Sequence, residues 1–308
     1  MLLQITHETR YAYTPAVETA QHMAHLKPIA TASQELLEHH LTVTPEPAAR
    51  SESSDAYGNV RAFFALESTH ESLSVVARSL VRTSTPPPPG DAAREISWEQ
   101  ARDRFRYRKS AAYDPASEFV FPSRYVPRHD DFAAYARASF TPGRPLFEVA
   151  RDLTLRMYNE FIYDGDSTEI NTPAVEALGQ RRGVCQDFAH IMIGCLRTMG
   201  LPARYVSGYL VTQPPPGQER LIGADASHAW VSVYLPGTQD GAGDWVDFDP
   251  TNGRQPGEDY VTLATGRDFA DVSPMRGVLH GGARHTLKVG VTVQPIESTD
   301  DDAQAPAT

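Results

Sequence analysis

Apolar positions in the first 85 residues alternate with polar ones in short runs that Pro, Gly and Asp interrupt. Because successive side chains of a strand point to opposite faces, this period of two predicts strands with one buried face. The clearest runs are QITHETRYAY, HHLTVTP, GNVRAFFALE and SLSVVARSLVRTS. The segment SDAYGN, Ser54–Asn59, has the composition of a turn between two of them. The pattern therefore predicts a β-rich region over residues 1–85.

The pattern changes after TPPPPGD, Thr85–Asp91, a stiff proline-rich segment that is the best boundary candidate. Residues 86–144 combine this linker with a helical and irregular segment. From Pro145 to Phe161 apolar residues recur at helical spacing. We predict a core over residues 145–295, which includes a C-terminal strand, and a disordered acidic tail over residues 296–308.

A second helical pattern lies in RRGVCQDFAHIMIGCLRTMGLPARYVSGYL. Gly183 permits a tight entry into this helix, and Gly200 with Pro202 ends it. The residues on its apolar face are Phe188, Ile191, Met192, Cys195, Leu196 and Met199. This face predicts a buried central helix, followed by a strand over Arg204–Leu210.

Cys185 falls on the same face, at the N-terminal end of the helix. Free N–H groups and a partial positive charge in a first turn stabilise the thiolate, which is the nucleophilic form of cysteine. Free cysteines are also common as small apolar core residues, and we assign Cys195, in mid-helix, to the core. The two cysteines lie roughly 15 Å apart along the helix, too far for a disulfide. Because the charge of Asp187 would oppose a thiolate, we expect it to point away from the sulfur, as a helix-end residue or a substrate contact.

A nucleophilic cysteine needs a base and a group that orients the base. Among 11 histidines, His228 begins a predicted strand, HAWVSVY, and the next strand, WVDFDPT, carries Asp247 and Asp249 on one face. Antiparallel pairing that sets His228 opposite Asp249 sets Leu235 opposite Ala242. A register shift of two selects Asp247 instead. Taken singly, each residue has an ordinary structural interpretation, but together with the cysteine they predict a triad.

Net charge, the lengths of the apolar runs and the absence of certain motifs argue against several classes of function. A formal net charge of −11 argues against a nucleic-acid or anionic-membrane surface. No run approaches the roughly 20 apolar residues of a membrane span, and the N-terminus lacks the apolar segment of a signal peptide. We therefore expect a cytoplasmic location, which two free thiols fit. The HExxH and CxxC patterns are absent, so we expect no metal, and YVSGY lacks the first glycine of the serine-hydrolase GxSxG motif. The oligomeric state is left open.

Four blocks, GVCQDFAH, ARYVSGYL, SHAWVSVYLPG and WVDFDPTNG, resemble the transglutaminase-like superfamily of papain-like cysteine enzymes. The stretch from THETRYAY to DAYGNV resembles the region that precedes the core in bacterial members. The resemblance implies an α+β fold, in which a β-rich N-terminal domain precedes a core with a cysteine-bearing helix on an antiparallel sheet. It also implies a triad with Cys185 as nucleophile, His228 as base and Asp249, immediately before PT, as orienting acid.

The implied reaction is acyl transfer at an amide bond through a thioester acyl-enzyme, without a cofactor. Water as acceptor gives hydrolysis, as in a cysteine protease, and an amine gives protein-glutamine cross-linking. We favour hydrolysis of a peptide or protein amide substrate, because charge and the absent secretion signal do not support matrix cross-linking. A catalytically silent binding module is the alternative outside the enzymes, although all three triad positions are present.

Four further residues are candidates for lining the cleft: Gln186, Asp187, Tyr209 and Trp230. For Tyr209 and Trp230, packing in the core is the competing interpretation, since aromatic residues of strands are usually buried. No upstream motif identifies a second donor for the oxyanion.

Overall fold

The computed structural model describes residues 1–109, 113–212, 227–237, 243–282 and 284–296. Its strands are β1 (Leu2–Ala24), β2 (Gln34–Thr44), β3 (Ala49–Ser54), β4 (Val60–Leu66), β5 (His70–Thr83), β6 (Ile162–Tyr163), β7 (Arg182–Gly183), β8 (Ala203–Leu210), β9 (Ser227–Leu235), β10 (Asp244–Phe248), β11 (Tyr260–Gly266), β12 (Met275–Gly281) and β13 (Arg284–Ile296). Its helices are α1 (Asp91–Glu95), α2 (Trp98–Arg104), α3 (Asp130–Ala136), α4 (Leu146–Glu160), α5 (Ala174–Gln180), α6 (Cys185–Thr198) and α7 (Phe269–Val272), with a 3₁₀ helix over Pro115–Val120.

The N-terminal sheet is built around the long strand β1, in the order β2–β5–β1–β4–β3. The alternating runs of the sequence correctly predict β1, β2, β4 and β5. The pattern misses β3, ARSESS, because this edge strand buries none of its side chains. A strand without a buried face has no period of two to detect.

The C-terminal strands also belong to this sheet. β12 and β13 pair antiparallel with β1, and the β13 register runs from Leu2 opposite Ile296 to Thr14 opposite Arg284. The sequence pattern grouped this C-terminal strand with the core over residues 145–295. Its backbone hydrogen bonds are instead made to β1 of the N-terminal sheet, so that grouping is wrong in this respect. A strand pattern shows which face is buried but not which sheet edge supplies the partner. From residue 297 onward the expected acidic tail lies outside the described residues.

In the second half of the chain, α6 packs on a four-stranded antiparallel sheet of order β10–β9–β8–β11. The helix is buried on all sides between Asp187 and Arg197, because α3, α4 and α5 cover the side that the sheet leaves open. Gly200, at φ +83°, ends the helical segment as predicted. The α+β class and the cysteine-bearing helix on an antiparallel sheet are confirmed.

The two halves are joined by buried polar contacts. Asn59, from the SDAYGN turn, donates to the backbone oxygen of Thr265 and accepts from its N–H, both at 2.7 Å. The side chain of Gln34 bonds the backbone of Thr262 in the same two-sided way. These contacts hold β11, and with it the core sheet, against the N-terminal domain. None of the helices in the described ranges is both long and apolar enough to cross a membrane.

Candidate active site

Cys185 is the first residue of α6 and is half-buried. Its approach is set by a short parallel pairing, in which Ile162 and Tyr163 of β6 lie beside Arg182 and Gly183 of β7. A Cβ on Gly183 would lie 2.7 Å from Oδ2 of Asp187, so the close approach requires glycine there. The thiol therefore lies at the first turn of the helix, where backbone N–H groups have no partner within the helix.

Asp187 turns back over the entry loop. Its Oδ2 accepts hydrogen bonds from the N–H of Val184 at 2.9 Å and from the hydroxyl of Thr168 at 2.7 Å. Burial raises the pKa of Asp187, and these two hydrogen bonds oppose the rise. The side chain is a helix-end residue, as one of the two expectations had it. Because it is buried, it does not line a cleft.

His228 lies near the start of β9, with its ring between a carboxylate and the thiol. Its Nε2 is 2.7 Å from Oδ2 of Asp249, which leaves Nδ1 as the ring nitrogen available to the thiol of Cys185. Burial alone would lower the pKa of His228. The hydrogen bonds and charges of Asp249 and Cys185 outweigh burial and raise it to about 10. The side chain remains 10% exposed, so the ring reaches the surface beside the thiol.

Asp249 immediately follows β10 and is fully buried. Its Oδ2 also accepts from the Tyr260 hydroxyl at 2.7 Å and from the Asn252 amide at 2.6 Å. Its Oδ1 accepts the N–H groups of Thr251 and Asn252 at 2.8 and 3.2 Å. Burial raises the pKa of Asp249, but the hydrogen bonds from His228, Asn252 and Tyr260 outweigh it, and the pKa is lowered. The carboxylate therefore stays ionised and holds the imidazole ring.

The hairpin register differs from the predicted one by two residues. Leu235 pairs with Asp244 rather than Ala242, and Val231 pairs with Phe248. Asp249 consequently reaches His228 diagonally and not from directly across the ladder. A shift of two keeps every side chain on its own face, so the alternation of the sequence does not distinguish the two registers. The expected loop lies outside the described residues from residue 238 onward.

Asp247 takes a different partner. Its Oδ2 accepts the indole N–H of Trp230 at 2.9 Å. Trp230 is fully buried, with its ring 6.1 Å from that of His228 and 5.3 Å from that of Tyr260. It packs behind the histidine in a buried cluster with Val206 and Tyr260, so core packing, the competing interpretation, describes its surroundings.

The contacts of the other residues singled out from the sequence are to groups other than the thiol and the imidazole. Tyr209 is buried and its hydroxyl is 2.8 Å from Nδ1 of His7, so it packs between the domains and not along the cleft. Gln186 is half-buried, and its amide donates to the backbone oxygen of Ile170 at 3.1 Å. Cys195 is buried in the core, and burial raises the pKa of its thiol to about 12.

Sequence reasoning missed two members of the hydrogen-bond network around Asp249. Asn252 lies three residues further on, inside the block DPTNG, so its nearness in sequence was an available signal. Tyr260 lies on β11, at the opposite edge of the core sheet from β10, and no motif marks it. Only the tertiary structure brings its hydroxyl to the carboxylate.

Comparison with known families agrees with this architecture. The model of the transglutaminase-like superfamily matches residues 133–250, which include Cys185, His228 and Asp249. The model of the bacterial transglutaminase-like N-terminal region matches residues 3–82. The chain belongs to the transglutaminase-like superfamily. The resemblance inferred from the four sequence blocks is thereby confirmed.

Relatives extend over nearly the whole chain. An uncharacterized protein of Mycobacterium tuberculosis (strain H37Rv) is 41% identical over 298 residues, covering 96% of this chain and 93% of that protein. A protein-glutamine gamma-glutamyltransferase of Pseudomonas aeruginosa is 28% identical over 166 residues, covering 51% of this chain and 23% of that protein. The crystal structure of a candidate cysteine protease from Cytophaga hutchinsonii superposes with a TM-score of 0.70 at 24% identity, covering 97% of this chain and 92% of that one. That likeness shows a shared fold.

Proposed function

We propose that this protein catalyses cysteine-dependent acyl transfer at an amide bond, with Cys185 as nucleophile, His228 as general base and acid, and Asp249 as the group that orients the base. The observation that carries the proposal is the 2.7 Å contact between the His228 imidazole and the buried Asp249 carboxylate, on a ring whose pKa the nearby Cys185 also raises. A nucleophile, a base in contact with it and a third group that holds the base are the arrangement that acyl transfer needs.

The electrostatics of His228 and Asp249 favour a protonated imidazole beside the thiol before substrate arrives. The raised pKa of His228 means that its ring holds a proton at neutral pH, and the lowered pKa of Asp249 keeps a negative charge behind it. A protonated imidazole next to a sulfur stabilises the thiolate and can later give its proton to a leaving amine. Membership of the transglutaminase-like superfamily supports the same chemistry.

Within this chemistry we propose hydrolysis of a peptide or protein amide as the main reaction. Water needs no dedicated acceptor site, and the acidic net charge of −11 gives no support to a matrix cross-linking role. Amine transfer is the second candidate, favoured by the similarity to the protein-glutamine gamma-glutamyltransferase of Pseudomonas aeruginosa. Both reactions pass through the same thioester, so they differ only in the group that attacks it.

A glutamine-peptide library tests the proposal when it is offered with and without a labelled primary amine. Mass spectrometry then distinguishes the free acid from the amine adduct. We expect release of the acid, its abolition by Cys185→Ser and its retention by Cys195→Ala. Amine incorporation without free acid would replace hydrolysis by transfer. Neither product, together with no thioester on Cys185, would favour the silent binding module.

A further inference from the structure

The C-terminal end of α6 opens onto a groove in the surface of the core. Two adjoining cavities of about 540 and 400 Å³ form it, and both are lined by Val120, Thr198 and Gly200. The basic residues of the lining are Arg102, Arg106, Arg128, Arg197 and His129. Cys185 is the first residue of the same helix, so the thiol and the groove lie at opposite ends of α6, roughly 20 Å apart along its axis.

The arginines of the groove come from three places in the sequence. The run RDRFRYRK, Arg102–Lys109, holds four arginines and one lysine against a single aspartate, in a chain whose formal net charge is −11. Arg128 lies just before α3, and Arg197 lies in the last turn of α6. The triad chemistry uses none of them. A local excess of positive charge in an acidic protein indicates a surface that attracts an anion.

Two of these arginines are fixed in the wall of the groove. The guanidinium of Arg197 donates to two backbone oxygens and to the hydroxyl of Ser123, at distances of 2.6–3.1 Å. Burial lowers its pKa to about 10, so it remains charged at neutral pH. The guanidinium of Arg102 lies over the ring of Trp98, 5.0 Å from its centre. Both side chains therefore contribute a positive charge at a fixed place.

The other two arginines have guanidinium groups that a ligand can reach. Arg128 is exposed and makes no hydrogen bond or ion pair within the part of the chain that the structure describes. The side chain of Arg106 is 64% exposed and lies 3.3 Å from Asp103, which also pairs with Arg102 at 3.2 Å. Asp130 is the acidic residue of the lining, so four guanidinium groups face two carboxylates. The positive charge is therefore only partly neutralised.

The size and charge of the groove favour a short acidic peptide segment as its ligand. A guanidinium group binds a carboxylate through two parallel hydrogen bonds, so Arg106 and Arg128 are suited to two acidic side chains. A long polyanion, such as nucleic acid, would continue beyond the groove over a protein of net charge −11. A segment of a few residues contacts the arginines and avoids that repulsion.

We propose that this groove is an exosite, a binding site away from the scissile amide, for an acidic segment of the protein substrate. The proposal rests on the proposed function, because it adds a substrate class to the same reaction at Cys185. An extended peptide of about six residues covers 20 Å. A substrate whose acidic segment lies about ten residues from the scissile amide is therefore long enough to occupy the thiol and the groove together.

Fluorescence anisotropy with a labelled hexaglutamate peptide tests the groove without any catalytic step. We expect the wild-type protein to bind the peptide and to bind it more weakly as salt is raised. We expect the double substitution Arg106→Gln and Arg128→Gln to weaken binding by on the order of tenfold, because two exposed charge contacts are lost. Binding at the wild-type affinity in this variant would overturn the exosite.

The double substitution Arg78→Gln and Arg151→Gln is the matched control, because it changes the net charge by the same amount. Arg78 is exposed on β5 of the N-terminal sheet. Arg151 on α4 is 60% exposed and lies 3.5 Å from Glu148, a pairing like that of Arg106 with the aspartate three residues before it. Equal weakening by the two double variants would show that net charge, and not the groove, attracts the peptide.

Two further anions test the class of ligand. A thymidylate hexamer that binds more tightly than hexaglutamate would overturn the proposal in favour of a nucleic-acid partner. Inorganic phosphate that binds as tightly as hexaglutamate would overturn it in favour of a site for small anions. We expect hexaglutamate to bind more tightly than either.

Glutamine peptides with and without a run of glutamates about ten residues away test the link to catalysis. We expect the acidic run to lower KM by on the order of tenfold, and we expect Arg106→Gln with Arg128→Gln to abolish this gain. Acylation by p-nitrophenyl acetate, which has no acidic segment, should be unchanged in that variant. Hexaglutamate binding with no effect of the acidic run on KM would overturn the substrate role.

Failure of the exosite and failure of the proposed function give different results. A protein that acylates on plain glutamine peptides but does not bind hexaglutamate would overturn the exosite alone. A protein that binds hexaglutamate but forms no acyl-enzyme with any substrate would overturn the proposed function, and the substrate role of the groove with it.

Discussion

The Nε2 atom of His228 lies 2.7 Å from Oδ2 of a fully buried carboxylate, that of Asp249. A buried carboxylate is costly unless its lone pairs are bonded, and Tyr260, Thr251 and Asn252 supply the remaining donors. Because Asp249 is held from several directions, it holds the imidazole ring in one orientation. That orientation leaves the other ring nitrogen for Cys185, and the first predictions follow from it.

The two cysteines should differ in reactivity. At pH 6–7 we expect iodoacetamide to modify Cys185 at least about tenfold faster than Cys195, because one thiol is accessible beside an imidazole and the other is buried. Peptide mapping by mass spectrometry measures both rates in one sample. His228→Ala should slow the reaction of Cys185 and leave that of Cys195 unchanged. Equal, slow labelling of both cysteines would contradict the assignment of the nucleophile.

Substitutions of Asp247, on β10, and of Asp249, just after it, should differ in their effect on acylation of Cys185. Asp249→Asn removes the charge that holds His228, and we expect acylation of Cys185 to fall by on the order of 10²-fold or more. Asp247→Asn is the matched control, because Asp247 contacts Trp230 and not the histidine. Its acylation rate should stay within a few-fold of wild type. If the Asp247 variant lost more activity than the Asp249 variant, the assignment of the orienting acid would be wrong.

The pKa of His228 should depend on both neighbours. Cys185→Ser and Asp249→Asn each remove a group that raises it, so both variants should titrate below the wild-type value of about 10. Histidine NMR titration measures the shift directly. An unchanged pKa in both variants would show that the ring does not bond these groups in solution.

The same pKa predicts how stability varies with pH. A folded-state pKa raised above the ordinary 6.5 stabilises the folded state fully below pH 6.5, and this contribution is lost as the pH rises through about 10. The free energy of unfolding in urea should therefore fall between pH 7 and 10, and fall less steeply in His228→Gln. Parallel curves for the two proteins would rule out a contribution from this histidine.

Asn59 should contribute to stability without affecting the chemistry. Asn59→Ala leaves the buried N–H and C=O of Thr265 without their partners, which costs about 1–3 kcal/mol in the free energy of unfolding. Urea denaturation measures this loss, and the iodoacetamide reaction of Cys185 should be unchanged under folding conditions. Asn159→Ala, at an exposed position of α4, is the control and should stay within about 0.5 kcal/mol of wild type. Equal effects of the two substitutions would contradict the buried tie between the domains.

The pattern of apolar and polar residues predicted the helices and strands in which apolar residues recur at a regular spacing. The apolar face of α6 identified a buried helix, and its length followed from Gly183 and Gly200. The alternating strands of the N-terminal region were also found, whereas the exposed strand β3 had no such signal. Cys185, His228 and Asp249 could be proposed from their sequence blocks, because their residue types and their places at the end of a predicted helix or strand can be read from the sequence.

Side-chain periodicity, set by backbone geometry, therefore let the sequence alone determine the central helix and the N-terminal strands, while the resemblance of its sequence blocks to a known family implied the fold class and selected Asp249 over Asp247 for the candidate triad. The tertiary structure decided the hairpin register, since a shift of two leaves every face unchanged. It also decided the return of β13 to β1, the hydroxyl of Tyr260 on Asp249 and the position of Tyr163 beside Gly183. These relationships join residues distant in sequence, and they exist only because burial and backbone hydrogen bonding choose one partner among many compatible ones.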